Sequence, residues 1–367
     1  YQCENNIKKP KVTQSIIVGG WNIDSRLGEK SNNSVKNGEQ PIISPPINLS
    51  IEPSSLLSYS TYCHSVLVTN DGSLKGAGNN KDGEITASLT MVDDGFTNFS
   101  IKDGRLHSPI SAVGSGLSTL YMFSKSGGSG RQLVLCDRNI SKGKPVFLDI
   151  DNHNPVALFG GDCYSAAICS EGEIIFAFRE DFNKSFSSHI SAIFLPNGEK
   201  ASSIACCEDK VVVLSLNGRV FESPCNGSSL NFTAVVELAD KEIIFVSGTS
   251  KHCFAVSKDG KVFGKGGKNS NGELGLGKSK KTVSSFTEIS SLQEYKIVAA
   301  YAGATHSLFQ TTEGKILACG TNNHGELLTS ETSKKVDIPI ETTINAGATF
   351  CIAGKHTSAV FMGSPPP

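Results

Sequence analysis

Short apolar runs separated by polar turns dominate the chain, and the clearest example lies between residues 296 and 327. Three apolar runs, 297–300, 307–310 and 316–318, follow one another, and the turn 311–314 between the last two ends in glycine. Runs of this length bounded by turn residues are typical of β-strands joined by hairpins. The pattern predicts a three-stranded meander that is too small to bury its own faces, so the unit has to recur.

The same unit does recur along the chain, and a glycine marks its turn. The recurring turn glycines are Gly72, Gly172, Gly218, Gly260, Gly314 and Gly354. The first interval is twice as long as the others and contains a degenerate copy around residues 126–130. Seven units of this kind predict an all-β protein, a seven-bladed β-propeller, because repeated β-meanders of 40 to 50 residues are typical of propeller blades.

The two ends of the chain complement each other. Segment 15–22 resembles the third strand of the unit, whereas the last unit, 343–361, stops after two strands. Pairing the N-terminal and C-terminal strands in one blade closes the ring and removes open sheet edges, which favour aggregation. The predicted organisation is an N-terminal tail, 1–13, a single propeller, 14–363, and a C-terminal tail, 364–367.

Composition and charge agree with this fold class and narrow the function. Glycine is abundant, with 37 residues, and the formal net charge of −1 gives no general attraction to nucleic acid or to a membrane surface. The chain has neither a secretory signal pattern at its start nor an apolar run long enough to span a membrane, so a cytoplasmic or nuclear location is expected. The eleven cysteines lack zinc-ligand spacing and are expected to be buried free thiols.

A histidine recurs at the same point of three units and is followed by serine or cysteine. The three pairs are His64-Ser65, His252-Cys253 and His306-Ser307. A hydrolase needs histidine and serine in contact, but neighbours on a strand point to opposite faces. A metal site needs all three histidines to converge, and the other four units offer no matching ligand. We expect a structural role, with each histidine bonded to backbone at the start of a strand, and no catalytic, metal or cofactor site.

Three further motifs have a functional and a simpler interpretation. Segment 264–268 is rich in glycine and lysine but lacks the spacing of a phosphate-binding loop, so close packing is expected there. Asp93 and Asp94 are adjacent carboxylates that we interpret as part of a solvated loop. The basic cluster 278–281 is either solvated surface or a contact for an acidic partner.

Three stretches resemble the repeat of the regulator of chromosome condensation family: 264–277, 302–320 and 322–327. That repeat combines an Asn-x-x-Gly-Gln-Leu-Gly loop, an Ala-Gly-x-x-His-Ser step and an Asp-Gly turn. Here Glu273 and Glu326 stand in place of the usual glutamine. The resemblance extends over 14–363 and implies a seven-bladed β-propeller.

For function, the resemblance implies two alternatives. The founding member catalyses nucleotide exchange on the nuclear small GTPase Ran with a protruding β-wedge, whereas other relatives are adaptors, ubiquitin-ligase modules, ciliary scaffolds and inhibitors. The nearest counterpart of the wedge is the turn 79–85, and the basic tail is reduced to Lys8, Lys9 and Lys11. The leading hypothesis is a monomeric, non-enzymatic propeller that binds protein partners. The alternative is a guanine-nucleotide exchange factor for a Ran-like GTPase.

Partner-binding residues are expected where the copies differ, in the long connectors. Such connectors lie on the surface of a propeller, where variation has little effect on stability. The predicted partner-binding residues are Asn80, Lys81, Asp82, Glu84, Lys268, Asn271, Lys278, Lys280, Lys281, Asn323 and His324. Neither nucleic acid nor membrane is expected as a direct partner.

Overall fold

A computed structural model describes most of the chain. The described residues are 15–21, 42–50, 64–68, 73–78, 85, 92–115, 118–127, 130–137, 145–160, 164–178, 192–225, 230–267, 269–278, 281–330 and 333–363. Within these ranges the chain is all-β, as predicted, apart from short 3-10 helices at Pro196–Gly198, Val236–Leu238 and Ser290–Leu292. No helix in the same ranges is long and apolar enough to cross a membrane. The predicted tails lie outside the described residues.

The first part of the chain supplies two N-terminal strands and three sheets, numbered here in chain order. The N-terminal strands are β1 (Ser15–Trp21) and β2 (Ile42–Ser50). Sheet 1 contains β3 (His64–Val68), β4 (Leu74–Gly78) and β5 (Val92–Phe99). Sheet 2 contains β6 (Leu106–Ser115), β7 (Ser118–Lys125), β8 (Arg131–Asp137) and β9 (Val146–Leu148). Sheet 3 contains β10 (Pro155–Gly160), β11 (Tyr164–Cys169), β12 (Ile174–Phe178) and β13 (Ala192–Ile193).

The second part of the chain supplies the remaining sheets. Sheet 4 contains β14 (Ala201–Cys207), β15 (Lys210–Ser215), β16 (Val220–Pro224) and β17 (Thr233–Ala234). Sheet 5 contains β18 (Ile243–Gly248), β19 (His252–Ser257), β20 (Val262–Gly266) and β21 (Val283–Glu288). Sheet 6 contains β22 (Ile297–Ala302), β23 (His306–Thr311), β24 (Ile316–Thr321) and β25 (Lys335–Glu341). Sheet 7 contains β26 (Ala348–Ala353) and β27 (Thr357–Met362), with β1 and β2.

Sheets 1 to 6 are antiparallel meanders in chain order, whereas sheet 7 has the order β2-β1-β27-β26. In sheet 7 the N-terminal strand β1 pairs with the last strand β27, and Ile16 lies opposite Phe361. Gly354 lies in the turn between the antiparallel strands β26 and β27, so it corresponds to Gly303 and not to the turn glycine Gly314. Its N–H donates to the Thr357 carbonyl as the Gly303 N–H donates to that of His306. Sheet 7 has no turn between its second and third strands, because its third strand, β1, comes from the other end of the chain.

The meander is longer than predicted, because sheets 2 to 6 each have a fourth strand. In sheet 6 this strand is β25, which pairs with β24 through Ile340 opposite Ala318. Asp93 and Asp94 likewise lie in strand β5 and not in a loop. These outer strands lie at the edges of their sheets, and most residues of β21 and β25 are exposed or half-buried, so they carry the polar residues that suggested connectors.

The hydrophobic core lies between the sheets. Six clusters of buried apolar side chains each draw on two consecutive sheets, from sheets 1 and 2 to sheets 6 and 7. Between sheets 5 and 6, for example, the rings of Phe254 and Phe309 meet edge to face at 5.3 Å. The first strands of successive sheets also contact one another, which places them innermost. Residues that join neighbouring sheets therefore contribute to the stability of the whole molecule.

Candidate functional site

Two connectors on the same side of sheets 5 and 6 form the candidate site. Loop 5 (residues 267–282) joins β20 to β21, and loop 6 (residues 322–334) joins β24 to β25. The two sheets meet at this end, because the Gly277 N–H donates to the Asp337 carbonyl at the start of β25 over 3.0 Å. Loop 5 therefore packs against the strand that follows loop 6.

Each loop is folded around an asparagine and a buried leucine. In loop 5 the Asn269 Oδ1 accepts a hydrogen bond from the Leu274 N–H at 2.9 Å, and in loop 6 the Asn322 Oδ1 accepts one from the Leu327 N–H at 3.1 Å. Both leucine side chains are fully buried. The Asn-x-x-Gly-Glu-Leu sequence thus folds locally, because the amide satisfies a backbone donor that the turn leaves unpaired.

A glutamate carboxylate reinforces each turn. The Glu273 Oε2 accepts a hydrogen bond from the Asn271 N–H at 2.7 Å, and the Glu326 Oε2 accepts one from the His324 N–H at 2.8 Å. Burial raises the pKa of Glu273. Burial also acts to raise the pKa of Glu326, but hydrogen bonds from the His356 and His324 imidazoles and from the His324 N–H lower it to about 2. The two loops share one backbone design and differ in the groups around the carboxylate.

Buried histidines connect these loops to the next sheet. The His252 Nε2 lies 2.8 Å from the Ser307 Oγ, and that hydroxyl donates to the Glu273 carbonyl at 2.6 Å. The same relay recurs one sheet further on. There the His306 Nε2 lies 2.9 Å from the Ser358 Oγ, and that hydroxyl donates to the Glu326 carbonyl at 2.6 Å. Because each hydroxyl proton goes to a carbonyl, the imidazole must be the donor to the serine. These histidines have the predicted structural role, and each bonds through its Nε2 to a serine hydroxyl of the neighbouring sheet, a contact that the prediction did not include.

The two relays are inaccessible to the substrate of a hydrolase. His252, His306, Ser307 and Ser358 are fully buried, so no substrate reaches them. Burial lowers the pKa of His252 to about 3 and the pKa of His306 to about 4, which keeps both imidazoles neutral. The side chain of His64 is outside the described part of the structure. The described pairs act as structural ties between sheets.

The free energy of unfolding is expected to fall as the pH is lowered from about 6.5 towards 4. In this window the unfolded chain binds protons at His252 and His306, whereas the folded chain leaves both imidazoles neutral, so acid favours unfolding. The loss ends as the pH passes through the folded values. Urea unfolding at a series of pH values measures the effect. His252→Gln keeps a donor for Ser307 without titrating and should reduce the slope by about half; an unchanged slope contradicts the assignment.

At the boundary of sheets 4 and 5, ionic groups take the place of the relay. Lys210 occupies the first position of β15, where β19 and β23 have histidine. Its ammonium pairs with the Glu222 carboxylate, whose other oxygen lies 2.7 Å from the Lys265 Nζ of sheet 5. The Lys265 side chain is only 6% exposed and its ammonium lies 5.4 Å from the Phe286 ring centre. One carboxylate therefore neutralises two lysines from different sheets.

A disulfide crosses the same boundary. Cys253 occupies the position of the relay serine in sheet 5 and is bonded to Cys207 at the end of β14. The expectation that all cysteines are free thiols is wrong for this pair. Cys169, Cys319 and Cys351 are buried free thiols. The pair was not recognisable from sequence, because its members are 46 residues apart and in different sheets.

The structure places the predicted partner-binding residues as follows. Exposed on loops 5 and 6 are Lys278, Lys281 and Asn323. Half-buried are Asn271 and His324. Outside the described residues are Asn80, Lys81, Asp82, Glu84, Lys268 and Lys280. Of the turn 79–85, the described residue is Ile85, which is fully buried and accepts a hydrogen bond from the Tyr121 hydroxyl at 2.7 Å. Residues 79–84 lie outside the described part of the chain, so the counterpart of the wedge stays a prediction.

Sequence reasoning missed one cluster beside loop 6. The His324 Nδ1 lies 3.0 Å and the His356 Nδ1 lies 3.7 Å from the Glu326 Oε1. The two imidazole ring centres are 5.4 Å apart. Thr357 begins β27 at the position where β19 and β23 have the recurring histidine. His356, one position earlier, was the signal in the sequence.

Comparison with known proteins identifies the repeat. The model of the regulator of chromosome condensation (RCC1) repeat matches residues 259–310. E3 ubiquitin-protein ligase HERC2 of Mus musculus is 35% identical over 128 residues, 34% of this chain and 3% of that protein. X-linked retinitis pigmentosa GTPase regulator of Canis lupus familiaris is 37% identical over 91 residues, 25% of this chain and 9% of that protein. Residues 259–310 of the chain therefore carry an RCC1 repeat.

Solved structures show the same fold. Human WBSCR16 superposes with a TM-score of 0.76 at 14% identity, covering 96% of this chain and 99% of that one. Prp20p of Saccharomyces cerevisiae superposes with a TM-score of 0.72 at 13% identity, covering 97% and 94%. At these identities the likeness concerns the β-propeller fold. The chain spans only a small part of the length of its curated relatives.

The RCC1 repeat explains why the same ties recur. The matched residues begin in the turn between β19 and β20 and end in β23, so one repeat straddles sheets 5 and 6. The relay from His252 to Ser307 and Glu273 lies within or beside this unit. A preserved RCC1 repeat therefore preserves the contact between two sheets.

Proposed function

We propose that the chain is a monomeric, non-enzymatic interaction propeller that binds protein partners through loops 5 and 6. The observation that carries the proposal is the contrast between the two sides of these loops. Their inner sides are fixed by buried hydrogen bonds to Asn269, Asn322 and the two relays, whereas their outer sides carry the exposed Lys278, Lys281 and Asn323. A fixed loop loses little conformational entropy when it binds a partner.

The proposed scaffold is a seven-bladed ring over residues 14–363, closed within one blade by the N- and C-terminal strands. The seven sheets and the pairing of β1 with β27 support this arrangement. The clusters between consecutive sheets support it as well, because each sheet buries its faces against its neighbours. A closed ring leaves the connectors as the variable surface.

A charge-reversal experiment tests the binding surface. The Lys278→Glu/Lys281→Glu double variant is expected to lose at least about tenfold in affinity for a partner that the unmodified chain captures stoichiometrically from native extract, since it reverses two exposed charges. The matched control is Lys258→Glu/Lys261→Glu, two exposed lysines with the same spacing at the opposite end of sheet 5. Equal capture by all three proteins, or no stoichiometric partner at all, contradicts the proposal.

A second candidate function is guanine-nucleotide exchange on a Ran-like GTPase in the nucleus or cytoplasm. The structure of Prp20p was reported with its binding properties to Gsp1p and histones. Secretion-regulating guanine nucleotide exchange factor of Bos taurus is 24% identical over 191 residues, 46% of this chain and 41% of that protein. Exchange needs no proton transfer, so the buried relays do not argue against it.

A nucleotide-release assay separates the two candidates. An exchange factor accelerates release of a fluorescent guanine nucleotide from a purified Ran-type GTPase, whereas a scaffold leaves the spontaneous rate unchanged. The catalysed rate must rise with the concentration of the chain and must fall in the Lys278→Glu/Lys281→Glu variant if loop 5 contacts the GTPase. No acceleration on any Ran-type GTPase rules out the second candidate.

A further inference from the structure

The cluster beside loop 6 joins two sheets through three potential metal ligands. His324 and Glu326 belong to loop 6, and His356 lies between β26 and β27 of sheet 7. One donor atom from each residue lies within 4.8 Å of the other two. Two nitrogen atoms and one carboxylate oxygen on neighbouring elements form a typical donor set for zinc and related ions.

The carboxylate is already oriented toward both imidazoles. The Glu326 Oε2 accepts the hydrogen bond from the His324 N–H at 2.8 Å, so the Oε1 is the oxygen that faces the rings. The Glu326 carbonyl accepts the hydroxyl of Ser358 at 2.6 Å, which fixes the backbone of the same residue. Ligands held by second contacts of this kind need little rearrangement to bind an ion.

The distances suit a small ion after slight adjustment. Ligand bonds of about 2.0–2.1 Å in a tetrahedral site place the donor atoms about 3.4 Å apart. The observed separations from the Glu326 Oε1 are 3.0 Å to the His324 Nδ1 and 3.7 Å to the His356 Nδ1. Glu326 is fully buried, whereas each histidine side chain is 23% exposed. An ion would thus have three protein ligands and one open position toward solvent.

The boundary of sheets 5 and 6 provides an internal comparison. Glu273 occupies the position of Glu326 and makes the same bonds to the backbone and to a serine. There, however, Asn271 stands in place of His324 and Thr305 in place of His356. The loop design therefore does not require histidine at either position. The two imidazoles beside Glu326 call for an explanation other than folding of the loop.

We propose that His324, Glu326 and His356 bind one divalent transition-metal ion of the zinc type, which links loop 6 to sheet 7. Imidazole and carboxylate together favour Zn²⁺, Co²⁺ or Ni²⁺ over Mg²⁺ or Ca²⁺. The ion compensates the charge of the buried Glu326 carboxylate and ties two elements of the ring. The site is independent of the partner-binding proposal, and it assigns His324 to the metal in place of a partner protein.

Metal titration of the full chain tests the proposal. Chelator-treated protein is titrated with Zn²⁺ by calorimetry and with Co²⁺ by absorption spectroscopy. We expect one ion per chain, a tetrahedral Co²⁺ spectrum without the thiolate band that a cysteine ligand adds, and a higher Tm in the presence of Zn²⁺. Metal that binds only through cysteine, or no binding at one equivalent, overturns the proposal.

The substituted residues are those found at the equivalent positions of the neighbouring repeat. His324→Asn/His356→Thr installs the residues that the neighbouring boundary uses, so the variant is expected to fold, and it should bind Zn²⁺ at least about a hundredfold more weakly. The matched control is His153→Ala, which removes a histidine paired with a single carboxylate, Glu173, at 2.8 Å. The control should bind as the unmodified chain does. Equal binding by the double variant overturns the assignment.

Discussion

Replacing Glu222 by glutamine is expected to lower the free energy of unfolding by about 3 kcal/mol. The carboxylate is the shared partner of Lys210 in sheet 4 and of Lys265 in sheet 5. Glutamine keeps the shape but leaves the buried Lys265 ammonium without a counter-charge, and burying an unpaired charge is far more costly than losing an exposed pair. Urea unfolding followed by circular dichroism measures the loss.

The matched control is Glu242→Gln. Glu242 pairs with Lys258 at 2.7 Å, but the two side chains are 60% and 67% exposed, so the expected loss is below about 1 kcal/mol. The Glu222 effect should also depend on pH. Burial acts to raise the pKa of Glu222, but the bonds from Lys210 and Lys265 outweigh it and lower the pKa below its usual value. The stabilisation is therefore present above pH 4.5 and lost below it, and equal losses in both variants at neutral pH contradict the role of burial.

Replacing Gly320 by alanine is expected to lower the free energy of unfolding by about 3 kcal/mol or more. Gly320 lies directly opposite His306 in the β23–β24 pair and has a φ of +105°, which L-residues rarely adopt. A β-carbon there would lie 2.5 Å from the His306 Cα and 2.5 Å from the Thr305 carbonyl oxygen. Neither is the end of a flexible side chain, so the strands must separate and the relay to Ser358 must distort.

Gly104→Ala is the control for this substitution. An added β-carbon at Gly104 meets no atom within 4 Å, so the expected change in the free energy of unfolding is within about 0.5 kcal/mol. Chemical denaturation of both variants under identical conditions makes the comparison. A Gly320→Ala protein with the unfolding midpoint of the unmodified chain would show that the strand pair is more adaptable than its geometry indicates.

Particular residues show how much of the structure can be predicted from the sequence. The hairpins of sheets 5 and 6 follow directly from apolar runs and turn glycines, because strand and turn signals are local. The outer strand β25 escaped prediction although Val336, Ile338 and Ile340 alternate along it, because Pro339 is more typical of a connector than of a strand. The predicted surface residues Lys278, Lys281 and Asn323 are exposed in the structure, and their role in binding remains a prediction.

The repeat, the all-β class and the positions of the recurring histidines were determined by the sequence alone, because each depends on residues a few positions apart. The tertiary structure decided what those residues contact. The relays, the Glu222 ion triad, the disulfide and the His324 cluster join residues roughly one repeat apart in the chain, across the boundary between two sheets. No local pattern encodes such a boundary, since both partners look ordinary within their own strands. Only packing one copy of the repeat against the next brings them within bonding distance.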